Sequence, residues 1–214
     1  MSKSKLSYVL MIAVMIIFLL YIAFTVLYQD PDASVFLGWK ADLNHPLNLP
    51  IWLTTMRVHV VFAAIGMIAG AVNFSRATRT RYPRFHRWNG YTYFASVMIV
   101  GLTSGYMAPY ATGGRSVSIA FNQLNMLWPA FTLISIIQIR KGRVESHRKW
   151  MVRSYAFCFT NMAIHLLTYT IRTLSDWPYA ASYRISVFVS IPLLYLAAEL
   201  VNRSVFRKKG RAFE

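Results

Sequence analysis

Five histidines stand in this 214-residue chain, and four of them, His59, His86, His147 and His165, lie within or at the mouths of apolar stretches. An imidazole in such a place has few uses. It ligates a metal through a neutral ring nitrogen, relays a proton, or makes a hydrogen bond that lipid cannot offer. His147 also begins a series: His147, Met151, Ser154, Cys158, Asn161, His165, Thr168 and Arg172 follow at alternating steps of four and three. On a continuous helix that spacing puts them on one face. Every member is polar or carries sulfur, whereas the opposite face reads Val152, Phe157, Phe159, Ile164 and Leu166. A polar face of that length is expected to look into a bundle or a water-filled cavity, with Val152 and Phe159 turned to lipid.

Hydrogen bonding between helices is the plainer use of such side chains, and it accounts for Ser154, Asn161 and Thr168 as well as any chemistry does. A second series, His59, Ala63, Gly66, Gly70 and Asn73, shares one face by the same spacing. Its G-x-x-x-G at Gly66 and Gly70 either brings two helices close or leaves a smooth wall for a flat macrocycle beside a histidine ligand. His86 aligns in the same way with Gly90, Tyr93 and Val97. Glu199 is the one acid inside an apolar stretch; by depth, Arg153 or His147 is its expected partner.

The elements that must carry these residues are membrane helices. The chain is 56% hydrophobic and 14% charged, against roughly a quarter charged in soluble domains. A hydrocarbon core about 30 Å thick needs about 20 apolar residues per helix. Residues 6–28, 51–74, 88–108, 118–139, 150–173 and 185–203 qualify, which predicts an all-α polytopic bundle of six transmembrane helices forming one membrane domain. Residues 29–50, with Asp30, Asp32, Asp42 and three prolines, read as a loop. The first apolar run is longer than the roughly 7–15 residues of a signal-peptide core, so it is expected to remain as an anchor.

Of the 23 lysines and arginines, 18 fall on one side of these spans, leaving Lys40, Arg57, Arg115, Arg172 and Arg184 on the other. The positive-inside rule then puts both termini in the cytoplasm, of a bacterial inner membrane protein. The net charge of +16 needs no nucleic acid to explain it; attraction to anionic lipid headgroups follows from it. One cysteine excludes an intrachain disulfide and a multi-cysteine metal site.

With this topology His59 and His165 each lie about 12 Å inside the outer ends of their helices, and His86 and His147 lie at the cytoplasmic mouths. His45, beside Pro46, reads as a solvated loop residue. The blocks "HRWNGYTY" at 86–93, "GG" at 113–114, "HRKWMVRSYA" at 147–156 and "AEL" at 198–200 resemble a bacterial integral membrane family of unknown function. That resemblance covers roughly residues 57–202 and supports the topology. His86, Trp88 and Gly90 are also similar to the H-x-W-x-G ligand motif of ascorbate-reducible transmembrane b-type cytochromes. Those proteins spread four haem ligands over four successive helices, a pattern this chain lacks.

Three functions are compatible with the residues. The first is a b-type haem redox protein in which His59 and His165 share the iron. Its cofactor contacts would include His86, His147, Gly66, Gly70 and a cationic mouth of Arg87, Arg148 and Arg153. That mouth equally suits a quinone headgroup or lipid phosphates. Whether electron transfer would be coupled to turnover of a substrate, as in an oxidoreductase, is left open. The second is a proton-coupled or small-solute transporter using the polar stripe and Glu199. The third is a structural or assembly subunit without a cofactor. No hydrolytic constellation and no phosphate-binding glycine loop is present.

Overall fold

Asn48 starts a long helix by local chemistry: its side-chain oxygen accepts from the Ile51 N–H at 3.4 Å, and Pro50 occupies the first turn, where its missing N–H costs nothing. The computed structural model describes residues 3–38 and 46–206; His45 lies outside them. In chain order the helices are α1 (Lys3–Phe24), α2 (Ser34–Gly38), α3 (Leu49–Phe74), α4 (Arg76–Arg81) and α5 (Pro83–Met107). They are followed by α6 (Arg115–Arg140), α7 (Val144–Ala156), α8 (Thr160–Leu174) and α9 (Tyr179–Phe206). The described residues hold no strand. Two compact units, residues 1–122 and 123–214, divide the chain within α6.

In the first unit α3 and α5 form an antiparallel hairpin joined by α4. Gly66 is where they approach closely, because a Cβ there would stand 3.2 Å from Cβ of Ser96, itself 1% exposed. Tyr93, Val97 and Val100 of α5 are buried. Tyr8 of α1 donates its hydroxyl to the Ala71 carbonyl at 3.2 Å. Ahead of α6 the chain turns at Gly113 and Gly114, whose φ of 94° and 81° suit glycine.

The second unit holds the rest of α6 with α7, α8 and α9. The turn after α6 is a Schellman closure: Arg143 N–H reaches the Gln138 carbonyl and Gly142 N–H that of Ile139, both at 3.0 Å. Gly142 supplies the left-handed φ of 72° that this requires. On α6, Leu124, Trp128, Thr132 and Ser135 share a buried face. Phe131 packs against Trp150, Phe157 and Tyr195, with ring centroids 5.2, 5.7 and 6.1 Å away.

One expectation is met in part and one changes. Among the described residues, Lys5–Gln29, α3 and α9 are long and apolar enough to cross a membrane. The span expected at 88–108 instead begins at Pro83, taking Arg84, His86 and Arg87 into α5, and α6 carries Asn122, Gln123, Asn125 and Gln138. Such polar residues dilute both helices. The span expected at 150–173 is not one helix. A 3₁₀ turn at Phe157–Phe159 separates α7 from α8. Each residue of such a turn rotates the chain by about 120° instead of about 100°, so three of them swing the following face by about 60°.

The break interrupts the continuous polar stripe, and burial along it is uneven. Ser154 is 0% and Thr168 5% exposed, but Asn161 between them is exposed. From the supposed lipid face, Phe157 and Ile164 are each 2% exposed and belong to the core. Stacking of Phe157 on Phe131 and the Thr160 hydroxyl, which donates to the Phe157 carbonyl at 2.8 Å, hold the turn.

Candidate functional site

His59 sits on α3 with Nδ1 3.0 Å from the hydroxyl oxygen of Thr103 on α5. Thr103 has one proton to give, and its oxygen lies 2.8 Å from the Ile99 carbonyl and 3.1 Å from that of Val100, both on its own helix. The hydroxyl donates there, as threonines in helices do. It therefore accepts from Nδ1–H of His59, and the tautomer follows: the ring lone pair is on Nε2. The bond fixes the orientation of the ring on the α3–α5 hairpin.

Towards the other end of the hairpin Asn89 donates to the side-chain oxygen of Asn73 at 2.8 Å and to the Ala69 carbonyl at 2.7 Å. Asn73 is 8% exposed. A Cβ at Gly90 would meet the Asn73 amide nitrogen at 3.5 Å, an ordinary van der Waals contact. The face shared by His59, Gly66, Gly70 and Asn73 thus belongs largely to the hairpin. At Gly66 it is filled by Ser96 and offers no wall to a macrocycle, which corrects that reading of the G-x-x-x-G. Gly70 is buried on α3. His86 is half-buried in the first turn of α5, and Arg87 beside it is exposed.

The second unit orders its own histidine. His147 Nδ1 lies 2.8 Å from the hydroxyl oxygen and 3.0 Å from the carbonyl oxygen of Ser135, which is 0% exposed. The Ser135 hydroxyl donates to the His147 carbonyl at 3.2 Å. Nδ1 again carries the proton and Nε2 the lone pair. Burial holds the His147 pKa below the ordinary imidazole range and the Arg148 cation adds to this, against the opposing pull of the Ser135 carbonyl. Two turns further along α7, Ser154 donates to the Thr132 hydroxyl at 2.7 Å, while Thr132 donates to the Trp128 carbonyl.

Glu199 takes Arg153 as its partner, with Nε to Oε1 at 2.5 Å. The guanidinium also lies over the Trp150 ring, 4.4 Å from its centroid. Asn202 donates to the Lys149 carbonyl at 3.3 Å, and Arg148 and Lys149 both lie over the ring of Phe206. His165 is half-buried on α8. No group of three or more His, Cys, Asp or Glu side chains gathers for a metal among the described residues.

Thr103, Ser135 and Asn89 are the site residues that the sequence does not announce. A lone threonine or serine in an apolar helix usually bonds its own backbone, and nothing in the spacing marks these as partners of histidines. Asn89 lies inside the "HRWNGYTY" block, which was the available signal.

An all-helical fold with helices long and apolar enough to cross a membrane points to the class of membrane proteins. The chain belongs to the DUF2306 family, described as a predicted membrane protein, which it matches over residues 56–201. No match is found among curated proteins or among solved structures.

Proposed function

We propose that this is a multi-pass protein of the bacterial inner membrane, with six crossings and both termini cytoplasmic, that binds haem b and carries electrons, with a quinone or a protein as redox partner. The fixed tautomer of His59 is the observation that supports the reading best. Its Nδ1–H is committed to Thr103, and its Nε2 lone pair suits a low-spin iron ligand. The haem, when bound, would supply reversible one-electron chemistry. The chain's own part is to orient the imidazole through Thr103 within an apolar helix. Six crossings are favoured by the antiparallel pairing of α5 with the candidate span α3 and of α8 with α9. The 18 basic residues on one side give the orientation.

The test is optical. Protein purified after growth with ample haem should show a Soret band that sharpens on reduction, and His59→Ala should abolish or strongly alter it. His165→Ala, measured beside it, reports whether His165 is the second ligand; His45→Ala should leave the band unchanged. A colourless wild-type protein would end the haem reading.

One observation favours a transporter as a second reading. The break at Phe157–Phe159 makes a discontinuous helix, and the Arg153–Glu199 pair lies about a turn before it. Discontinuous helices with nearby charges form the substrate sites of many carriers. Solute or proton flux into proteoliposomes, lost in Glu199→Gln, would support that alternative.

A further inference from the structure

The charge of the first unit is unbalanced in a particular place. Between Asp42 and Glu145 the sequence has no Asp or Glu, and residues 76–87 hold five arginines. The first unit's three acids, Asp30, Asp32 and Asp42, all precede α3. The fold gathers the arginines at one end of the α3–α5 hairpin. Thr78 is buried to 9% and anchors α4, while Arg76 and Arg81 on the same short helix are exposed.

The first two turns of α5 add a pattern. Arg84, Arg87, Trp88 and Tyr91 follow at i, i+3, i+4 and i+7, which is one helix face, and all four are exposed. Trp88 is 72% exposed and packs edge-on against Tyr91 at 5.9 Å between centroids. The other side of α5 is spent on α3 through Asn89, Tyr93 and Ser96. From Arg84 to Tyr91 the helix rises about 10 Å, enough to pass from the headgroup layer into the edge of the hydrocarbon. Cations at the outer level and amphipathic rings at the inner one match a lipid leaflet seen in section.

We propose that α4 and the exposed Arg84–Arg87–Trp88–Tyr91 face of α5 form a binding surface for anionic phospholipid headgroups, with the arginines on phosphate and the two rings on the upper acyl chain. Charge complementarity selects this occupant: the surface has an apolar lower edge, which suits a lipid and does not suit a soluble polyanion. The Asn73–Asn89 pair braces the hairpin at this end, so the surface is pre-formed and does not depend on any cofactor.

The full-length protein in detergent, offered equimolar phosphatidylglycerol and phosphatidylcholine, should retain phosphatidylglycerol preferentially by native mass spectrometry. Arg84→Gln/Arg87→Gln should reduce that preference by about fivefold per arginine removed, and Arg84→Lys/Arg87→Lys should restore most of it. The control Arg140→Gln/Lys141→Gln removes the same charge at the α6–α7 turn and should leave the preference near wild type. Trp88→Ala should weaken retention of both lipids. An equal loss in the control, no preference in the wild type, or displacement of the lipid by millimolar inorganic phosphate would each overturn the proposal. The first result would mean a net-charge effect and the last a simple anion site. Tighter capture of a single-stranded oligonucleotide than of phosphatidylglycerol would overturn it too.

Discussion

Thr103 and His59 are joined by a hydrogen bond of 3.0 Å in which the threonine is the acceptor, because its own proton goes to the backbone of α5. The bond ties two helices together and also decides which nitrogen of the imidazole keeps its lone pair. If His59 ligates a cofactor, this structural contact would also orient the ligand, so experiments must separate the two roles.

Thr103→Val keeps the shape and removes the acceptor. The stranded Nδ1–H should cost about 1–3 kcal/mol in unfolding free energy, whether or not a haem is bound. If His59 ligates iron, haem affinity should fall by about 10–100-fold, and Thr103→Ser should recover both. Thermal unfolding and haem titration of the same samples distinguish the two roles. A variant with unchanged stability would refute the bond itself.

Gly66 allows a sharper packing test. An alanine there gains helix propensity of about 1 kcal/mol but sets its Cβ 3.2 Å from that of Ser96, so Gly66→Ala is expected near neutrality. Gly66→Val adds two methyl groups beyond that point and should destabilise by about 1–3 kcal/mol. Unfolding in mixed micelles measures both. Equal tolerance of valine and alanine would mean that α3 and α5 do not meet there.

Arg153 and Glu199 form a pair whose side chains are 18% and 24% exposed. Removing one partner should cost about 1–3 kcal/mol, between the values for exposed and for fully buried pairs, because solvent reaches both. Replacing both, as Arg153→Met/Glu199→Leu, should recover much of the loss. The coupling from this double-mutant cycle is the quantity to measure, and additive losses would show that the two groups act separately.

The sequence made much of this legible, and the misses have a common cause. Apolar length marked α1, α3 and α9, and depth marked Arg153 as a partner for Glu199. The 3₁₀ turn was hidden because Phe157–Phe159 contains neither proline nor glycine; Phe157 stacks on Phe131 there, and periodicity carries no trace of such a contact. A helical wheel drawn through the break put Asn161 beside Ser154. In a Cys158→Ala background, spin labels at 161 should respond to dissolved oxygen, whereas labels at 154 and 168 should be shielded. A shielded label at 161 would restore the unbroken helix.

His147 supplies a pH dependence whose sign is fixed. Its ring lies outside the expected spans, and burial together with Arg148 lowers its pKa below the ordinary value of 6.5. The unfolded chain therefore binds the proton more readily than the folded one, and stability rises with pH wherever the unfolded chain is protonated and the fold is not. The contribution is complete above about pH 6.5 and is lost as pH falls from there through the lower pKa of the folded state. Protonation would leave Nδ1–H on Ser135 and place a second charge on Nε2, beside Arg148. Melting temperature in detergent should therefore drop between pH 7 and pH 5. The drop should be smaller in His147→Gln, whose side chain does not titrate, and the difference between the two curves isolates His147 from the other histidines. Superimposable curves would mean that His147 is solvated and that its bond to Ser135 does not persist.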